Sequence, residues 1–580
     1  MGNLNPTNTF AATLIYFFVG TLQMHLSTTW LPWPHFTMTT LPLHWRNHNW
    51  ILRLTCVLAV WVAGCGEGPQ VQSTTQPNTH LVAGESPETE KKSEDQTGQA
   101  AQLAPPTESA SGDAQTEEIW EAYYLQGNKV GYAHTVIAQI EENDEKIVRT
   151  TSQSQLSLKR LGQETTQKMS FTSWETPTGK LLRFESRLTS GPGEVVAQGA
   201  VEKGNLNIEI NTQGKTDRQS IPWAAEWGGF FAPDQSLRKS PLKPGETRSI
   251  RSLLPLLNIA GDTTLEAADY ETVKLPGGER KLLKVQSSVK IGEQSLVTTL
   301  WVDDKGETHR SLVAGIGQEA LRTTKELALK ASEAGEFDLM EGSIVKVGGT
   351  IPDLASAKLV RFRAKIKEGS INGVFPSGLS QQVKIIDKQT AEITVLAIRP
   401  DQPSLLPSPI KFEADDLAAN SMVQSDDAAV FKMAEGVAPG ETNPWKLACA
   451  LEKHVDGIIH KKNYSTGFAT AAEVAQTLEG DCTEHAVLLA ALCRARKLPA
   501  RAVCGLIYVR ELGGFAFHMW NEVYITDRWI PMDGTLGAEG IGGDHLKLTD
   551  TDLKRSNAYS AMLPVIQVFG NLELEVLQVE

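Results

Sequence analysis

The chain has 580 residues and a formal net charge of −14. That exceeds what one hydrophobic core usually holds, so roughly two to four domains of 100 to 200 residues are expected. The acidic balance is spread along the chain with no broad basic face, which excludes sequence-independent binding to nucleic-acid phosphates.

Residues 1–45 contain no Lys or Arg, whereas Arg46 and Arg53 precede the apolar run Leu54–Val62, which ends in Ala63-Gly64-Cys65. Basic, apolar, small is the order of an export signal, and the run is shorter than the roughly 20 apolar residues of a spanning helix. Val62-Ala-Gly-Cys65 resembles a bacterial lipobox, whose cysteine is lipidated and becomes the mature N-terminus. Counted from Met38 the signal has an ordinary length, so residues 1–37 read as an upstream extension. The expectation is an extracytoplasmic protein held to the membrane by a lipid on Cys65, with a plain membrane anchor as the alternative. Residues 66–117 hold Pro, Gly, Ser, Thr, Gln and Glu and are read as a disordered tether, because they bury too little apolar surface to offset ordering entropy.

From 118 to 335 the pattern is β. Leu206, Ile208 and Ile210 alternate after the turn Lys203-Gly204, and two apolar runs flank the turn Asp303–Gly306. A small β domain and connector is expected over 336–424, where Val360, Phe362, Ala364 and Ile366 alternate with Arg361, Arg363 and Lys365. Neither stretch holds a catalytic cluster, and His134 and His309 are read as surface residues.

Residues 425–580 change character. Asn443-Pro444 starts a helix with Leu447, Leu451, Val455 and Ile458 on one stripe. Thr470-Ala-Ala-Glu473 is a capping box for a second. A third begins at Gly480-Asp481-Cys482, apolar almost all round, which predicts a core helix with a polar tip. A thiol attacks carbonyls as thiolate, and the unpaired N–H groups at a helix N-terminus favour that anion and could bind the oxyanion formed on attack. Gly480 is read as the sharp turn that leaves room for a substrate backbone. Downstream, residues 501–509, 517–525 and 528–533 read as strands. His518, Trp520, Glu522 and Tyr524 share one face, and Asp533 joins it if the hairpin register sets it opposite Trp520 or Glu522. Cys482, His518 and Asp533 are the candidate nucleophile, base and orienting carboxylate.

GDC before a helix, H-x-W-x-E in a strand and W-x-P-x-D-x-T after a turn together resemble the transglutaminase-like superfamily in its bacterial form, over about residues 425–560. The resemblance implies an α+β, papain-like core, helices packed on an antiparallel sheet; it does not cover the two β-rich domains expected ahead of it. It also implies those roles for Cys482, His518 and Asp533, with no cofactor and no metal. Gly534 departs from the family, where proline is frequent, and looser backbone is expected there.

The competing assignments stay open. Cys482 could be a buried cap residue, or half of a Cys482-x-x-His485 metal site completed by Cys493 or Cys504, although zinc wants a fourth convergent ligand. A disulfide among Cys449, Cys493 and Cys504 is open outside the cytoplasm. Trp520 is either a shield over His518 and Asp533 or core; Glu522 is a partner for Arg501 or Arg528; Asp481 is the cap; His485 is structural or a supporting donor; Trp445 and Tyr464 are candidate oxyanion contributors. The chemistry expected is attack on a peptide or side-chain amide to give a thioester. Hydrolysis is favoured over amine transfer, since no calcium-loop pattern appears. The alternative is an inert, lipid-tethered binding scaffold on the same fold. Partners are a protein or peptide substrate and the membrane, with no nucleic acid; oligomeric state is left open.

Overall fold

The computed structural model describes residues 116–580 except 161, 191–192, 213, 292–293, 332–337, 339–341, 349–350, 352, 399–409, 462–468 and 555–562. The expected signal, Cys65, the tether as far as residue 115, and Tyr464 lie outside the described residues.

Strand alternation builds a 14-stranded antiparallel sheet from residues 116–323. Eight strands, from Thr116–Leu125 to Lys215–Pro222, add one beside the next, and six more, from Thr247–Leu254 to Gln318–Thr323, do the same. The two runs join where Thr116–Leu125 pairs with Gln318–Thr323, Trp120 facing Thr323 and Leu125 facing Gln318. Leu206, Ile208 and Ile210 turn inward as their period of two requires. The helix Ala232–Lys239, between the runs, covers the apolar face. Phe230 and Phe231 just ahead of it and its Leu237 are fully buried, and Phe230 sets its ring edge-on to Phe171 and Phe184 at 5.7 and 5.2 Å. His309, expected at the surface, is buried and bonded to Asp303 at 3.0 Å. His134 is half-buried and stacks on Trp120 at 3.9 Å. His309 was misjudged because Asp303, six residues earlier across the Asp303–Gly306 turn, comes back to meet its ring.

The second sheet has nine strands: β1 (Val345–Gly348), β2 (Leu359–Ile366), β3 (Gln381–Ile385), β4 (Thr390–Leu396), β5 (Ala500–Val509), β6 (Gly514–Ile525), β7 (Arg528–Met532), β8 (His545–Thr551) and β9 (Leu572–Val579). Their order is β3-β4-β2-β9-β1-β6-β5-β8, with β7 beside β6. Residues 336–424 therefore do not make a sheet of their own. β9 inserts between β2 and β1, and β1 pairs with β6, so one hydrogen-bonded sheet carries strands from both stretches. The Gln381 side-chain amide bonds both the C=O and the N–H of Lys547, each at 2.9 Å, so the outermost strands β3 and β8 also meet.

Four helices pack with this sheet: α1 (Ala428–Gly436), α2 (Pro444–Ile458), α3 (Ala471–Thr477) and α4 (Cys482–Ala495). All 14 residues of α4 are buried, since α1, α2, α3, β5 and β6 enclose it. Burying Arg494 inside it is tolerated because its guanidinium donates to the carbonyls of Ala418, Ala500 and Asp552 at 2.8–3.0 Å. Among the described residues no helix is long and apolar enough to cross a membrane.

Candidate active site

The N-terminal turn of α4 explains where the thiol sits. Asp481 is the N-cap, accepting from the Thr483 N–H at 2.9 Å, and Glu484 reaches back to the Asp481 N–H at 3.0 Å, a full capping box. Gly480 has φ +153°, and a Cβ there would lie 2.3 Å from the Glu484 Cβ. The glycine makes room for this capping glutamate rather than for substrate. Cys482 is the first helical residue and is 1 % exposed.

Burial pushes the Cys482 thiol well above its ordinary pKa, against the Met519 backbone N–H, which lowers it. A helix N-terminus is worth about 0.3–1 kcal/mol and at most ~2, or about 1.5 pKa units, whereas full burial shifts a group by up to ~3–5 units. Burial wins, and the thiol rests protonated instead of as the expected thiolate.

Strand β6 brings the base alongside. Met519, whose N–H meets the sulfur, follows His518 directly. In the β6/β7 hairpin Asn521 faces Met532 and Glu522 faces Pro531, an even register whose next step sets Trp520 opposite Asp533. The carboxylate thus falls on the face of His518, and His518 Nε2 lies 2.7 Å from Asp533 Oδ2 with both side chains fully buried. A carboxylate only accepts, so Nε2 carries a hydrogen and a neutral ring keeps its lone pair on Nδ1. Nδ1 is buried and has no hydrogen-bond partner among the described residues.

Asp533 is held from four sides. Its Oδ1 accepts from the Thr535 N–H at 2.9 Å, its own N–H donates to Glu452 Oε1 at 2.8 Å, and Oδ2 also faces His545 Nε2 at 3.3 Å. Burial acts to raise its pKa, but the imidazoles of His518 and His545 more than reverse this and hold the carboxyl well below the usual range. Gly534, where looser backbone was expected, is close-packed: a Cβ would come within 3.3 Å of Leu489 and Val455.

Two residues here escaped the sequence. Glu452, beside the apolar stripe of α2, is fully buried, and burial raises its carboxyl to about 8. His545 opens β8 with Nδ1 2.8 Å from Asp544 Oδ1. The i+7 interval from Leu451 to Ile458 marks the helix but not Glu452's side of it, and only the Gly-rich stretch before His545 hinted at a turn bringing that strand back.

The remaining candidates are placed as follows. Glu522 pairs with Arg501 at 2.6 Å, not Arg528, and also takes Lys547 at 2.7 Å; Asp550 bonds both cations at 2.8 Å. Trp520 is 2 % exposed, its ring 6.1 Å from His518 and 5.1 Å edge-on to His545, so it both packs the core and walls the imidazoles. His485 Nδ1 bonds the Asp481 carbonyl at 2.6 Å. Trp445 is half-buried at the start of α2. Cys449, Cys482, Cys493 and Cys504 are all free thiols, so the disulfide left open among them does not form in this structure. Two clusters among the described residues set three donor atoms within 4.8 Å of one another, His518 with Asp533 and His545, and Asp303 with Glu307 and His309; neither contains the Cys482–His485 pair. In both, the carboxylates already face imidazole or arginine: Asp533 Oδ2 faces both rings, and Glu307 pairs with Arg322 at 2.8 Å.

Residues 432–534 match the profile of the Transglutaminase-like superfamily. Among solved structures the chain is similar to a cysteine-protease candidate from Cytophaga hutchinsonii (18% identity, TM-score 0.24, covering 39% of this chain and 90% of that one). It is also similar to the periplasmic domain of TgpA from Pseudomonas aeruginosa bound to ethylmercury (14% identity, TM-score 0.21, 31% and 91%). A protease candidate from Parabacteroides distasonis is a third (10% identity, TM-score 0.17, 64% and 68%). No curated protein matches the sequence. The profile takes in Cys482, His518 and Asp533 and stops one residue later, so the chain carries a transglutaminase-like domain at 432–534, built into a sheet with strands from outside that range.

Proposed function

We propose that this protein is an extracytoplasmic thiol enzyme, tethered by a lipid on Cys65, that cleaves peptide or side-chain amides through Cys482, His518 and Asp533. The observation that carries it is the His518–Asp533 hydrogen bond of 2.7 Å beside a helix-mouth cysteine, with Nδ1 left as a lone pair.

In the proposed reaction His518 Nδ1 takes the Cys482 proton as sulfur attacks the carbonyl carbon, since the thiol does not ionise unaided. Asp533 fixes the ring and balances the imidazolium that forms. Asp481 takes the Thr483 N–H, which leaves the N–H of Cys482 itself for the oxyanion. Collapse expels the amine, which receives the proton from His518 and leaves a thioester on Cys482. Water then gives hydrolysis and a primary amine gives transfer; hydrolysis is the favoured outcome.

The burial of Cys482, His518 and Asp533, none more than 1 % exposed, favours a second reading, an inert scaffold, unless the covering segments open. Mass spectrometry of a denatured protein mixture incubated with full-length protein and a primary amine separates these. New peptide termini, absent with Cys482→Ala, are expected; amine adducts on glutamine would mean transfer, and neither product would favour the scaffold.

A further inference from the structure

We propose that His545 is a positioning residue of this site: anchored by Asp544, it serves as a buried cation that holds Asp533 and so sets the protonation of the Cys482–His518 pair. The proposal rests on the assignment of Cys482, His518 and Asp533 above.

The geometry fixes the charge. His545 Nδ1 faces Asp544 Oδ1 at 2.8 Å and Nε2 faces Asp533 Oδ2 at 3.3 Å. Both partners are carboxylates that only accept, so both ring nitrogens carry hydrogens, and the ring is an imidazolium. His545 is 2 % exposed and Asp544 5 %, which leaves little water to do this work instead. Burial alone would lower the ring's proton affinity, but Asp544 and Asp533 outweigh it and hold the pKa at about 9. Asp544 in turn is held below its ordinary value despite burial, because of His545.

The consequence falls on Asp533. Its Oδ2 faces both rings, so the carboxylate that steers His518 is shared with His545. A cation on that oxygen offsets part of the carboxylate's negative charge beside the Cys482–His518 pair. It also fixes the carboxylate between two rings, with Trp520 edge-on to His545 at 5.1 Å as the wall. The charged and titratable groups facing His545 are Asp544 in the turn just before β8, Asp533 beyond β7 and His518 on β6. Glu452 from α2 and the Cys482 thiol from α4 face Asp533 in turn.

The test uses full-length protein and the rate of Cys482 alkylation by iodoacetamide as a function of pH, read by mass spectrometry. Removing a buried cation moves every proton loss from the Cys482–His518 pair to higher pH. His545→Gln, which keeps an amide N–H for Asp533 but no charge, should raise the midpoint of the profile by about one pH unit while its unfolding transition remains cooperative. Asp544→Asn, which weakens the cation without touching the ring, should shift it the same way by less and covers the case in which His545→Gln fails to fold. A profile that superimposes on wild type in a folded variant overturns the proposal. Asp533→Asn separates the two levels. If it leaves alkylation unchanged, the underlying triad assignment fails; if it slows alkylation while the His545 and Asp544 variants do not move the midpoint, only the role of His545 fails.

Discussion

Glu452 and Cys482 share a feature at the residue scale: each is an ionisable group that the interior keeps neutral. Burial pushes Glu452 to about 8, although its Oε1 accepts the Asp533 N–H, which acts the other way, and Oε2 has no partner among the described residues. The native state therefore binds a proton on this carboxyl between about 4.5 and 8 that the unfolded chain has lost. Stability then falls as pH rises through that window. Glu452→Gln removes the ionisation and keeps an acceptor for the Asp533 N–H. Urea unfolding at pH 5 and pH 8 should show wild type losing on the order of 3 kcal/mol more than the variant between the two; equal losses would mean that Glu452 is charged in the fold. His545 adds a decline of the same sign at higher pH, since its stabilisation is complete below about 6.5 and lost as pH passes about 9, and that part should persist in Glu452→Gln. Cys482, His518 and Asp533 were legible as residues because each sits at a chemically marked place: a helix mouth, an alternating strand, the residue after a hairpin. Glu452 and His545 were not, because nothing local distinguishes a buried acid or imidazole from a solvated one; Asp533, which both meet, lies 81 and 12 residues away from them in sequence.

Among the elements, helices read well and sheet membership did not. Caps and stripes are local, so the starts of α2, α3 and α4 follow from Asn443, Thr470 and Asp481, all of which cap in the structure. Gly480 was recognised as a turn but its spare volume was given to substrate, whereas Glu484 fills it. For β2 the alternation predicted faces correctly, with Val360, Phe362 and Ala364 fully buried. Alternation says nothing of which strands lie alongside, and besides β4 the partner is the distant β9, where Phe362 meets Val576. One sheet implies one cooperative unit. Phe362 packs edge-on to Phe515 of β6 at 5.5 Å, so Phe362→Ala should cost about 3–5 kcal/mol and should lower the temperature at which Cys493 and Cys504 become open to alkylation. Unchanged protection of those thiols would mean that residues 336–424 unfold separately from the helices and β5.

The described residues from 116 onward form two sheets, one of 14 strands and one of nine. The 14-stranded sheet was legible as β because hairpin turns such as Asp303–Gly306 join strands that are neighbours in both sequence and space; its closing pair, Thr116–Leu125 with Gln318–Thr323, was not, because those strands lie nearly 200 residues apart. The central claim is that His518, steered by Asp533, activates Cys482, and the most direct measurement is site-resolved alkylation of the native full-length protein at neutral pH. Cys482 should react faster than the equally buried Cys493 and Cys504, and His518→Ala should slow it at least tenfold while leaving the other two unchanged. Reaction of Cys482 at the same rate with and without the imidazole would contradict the account.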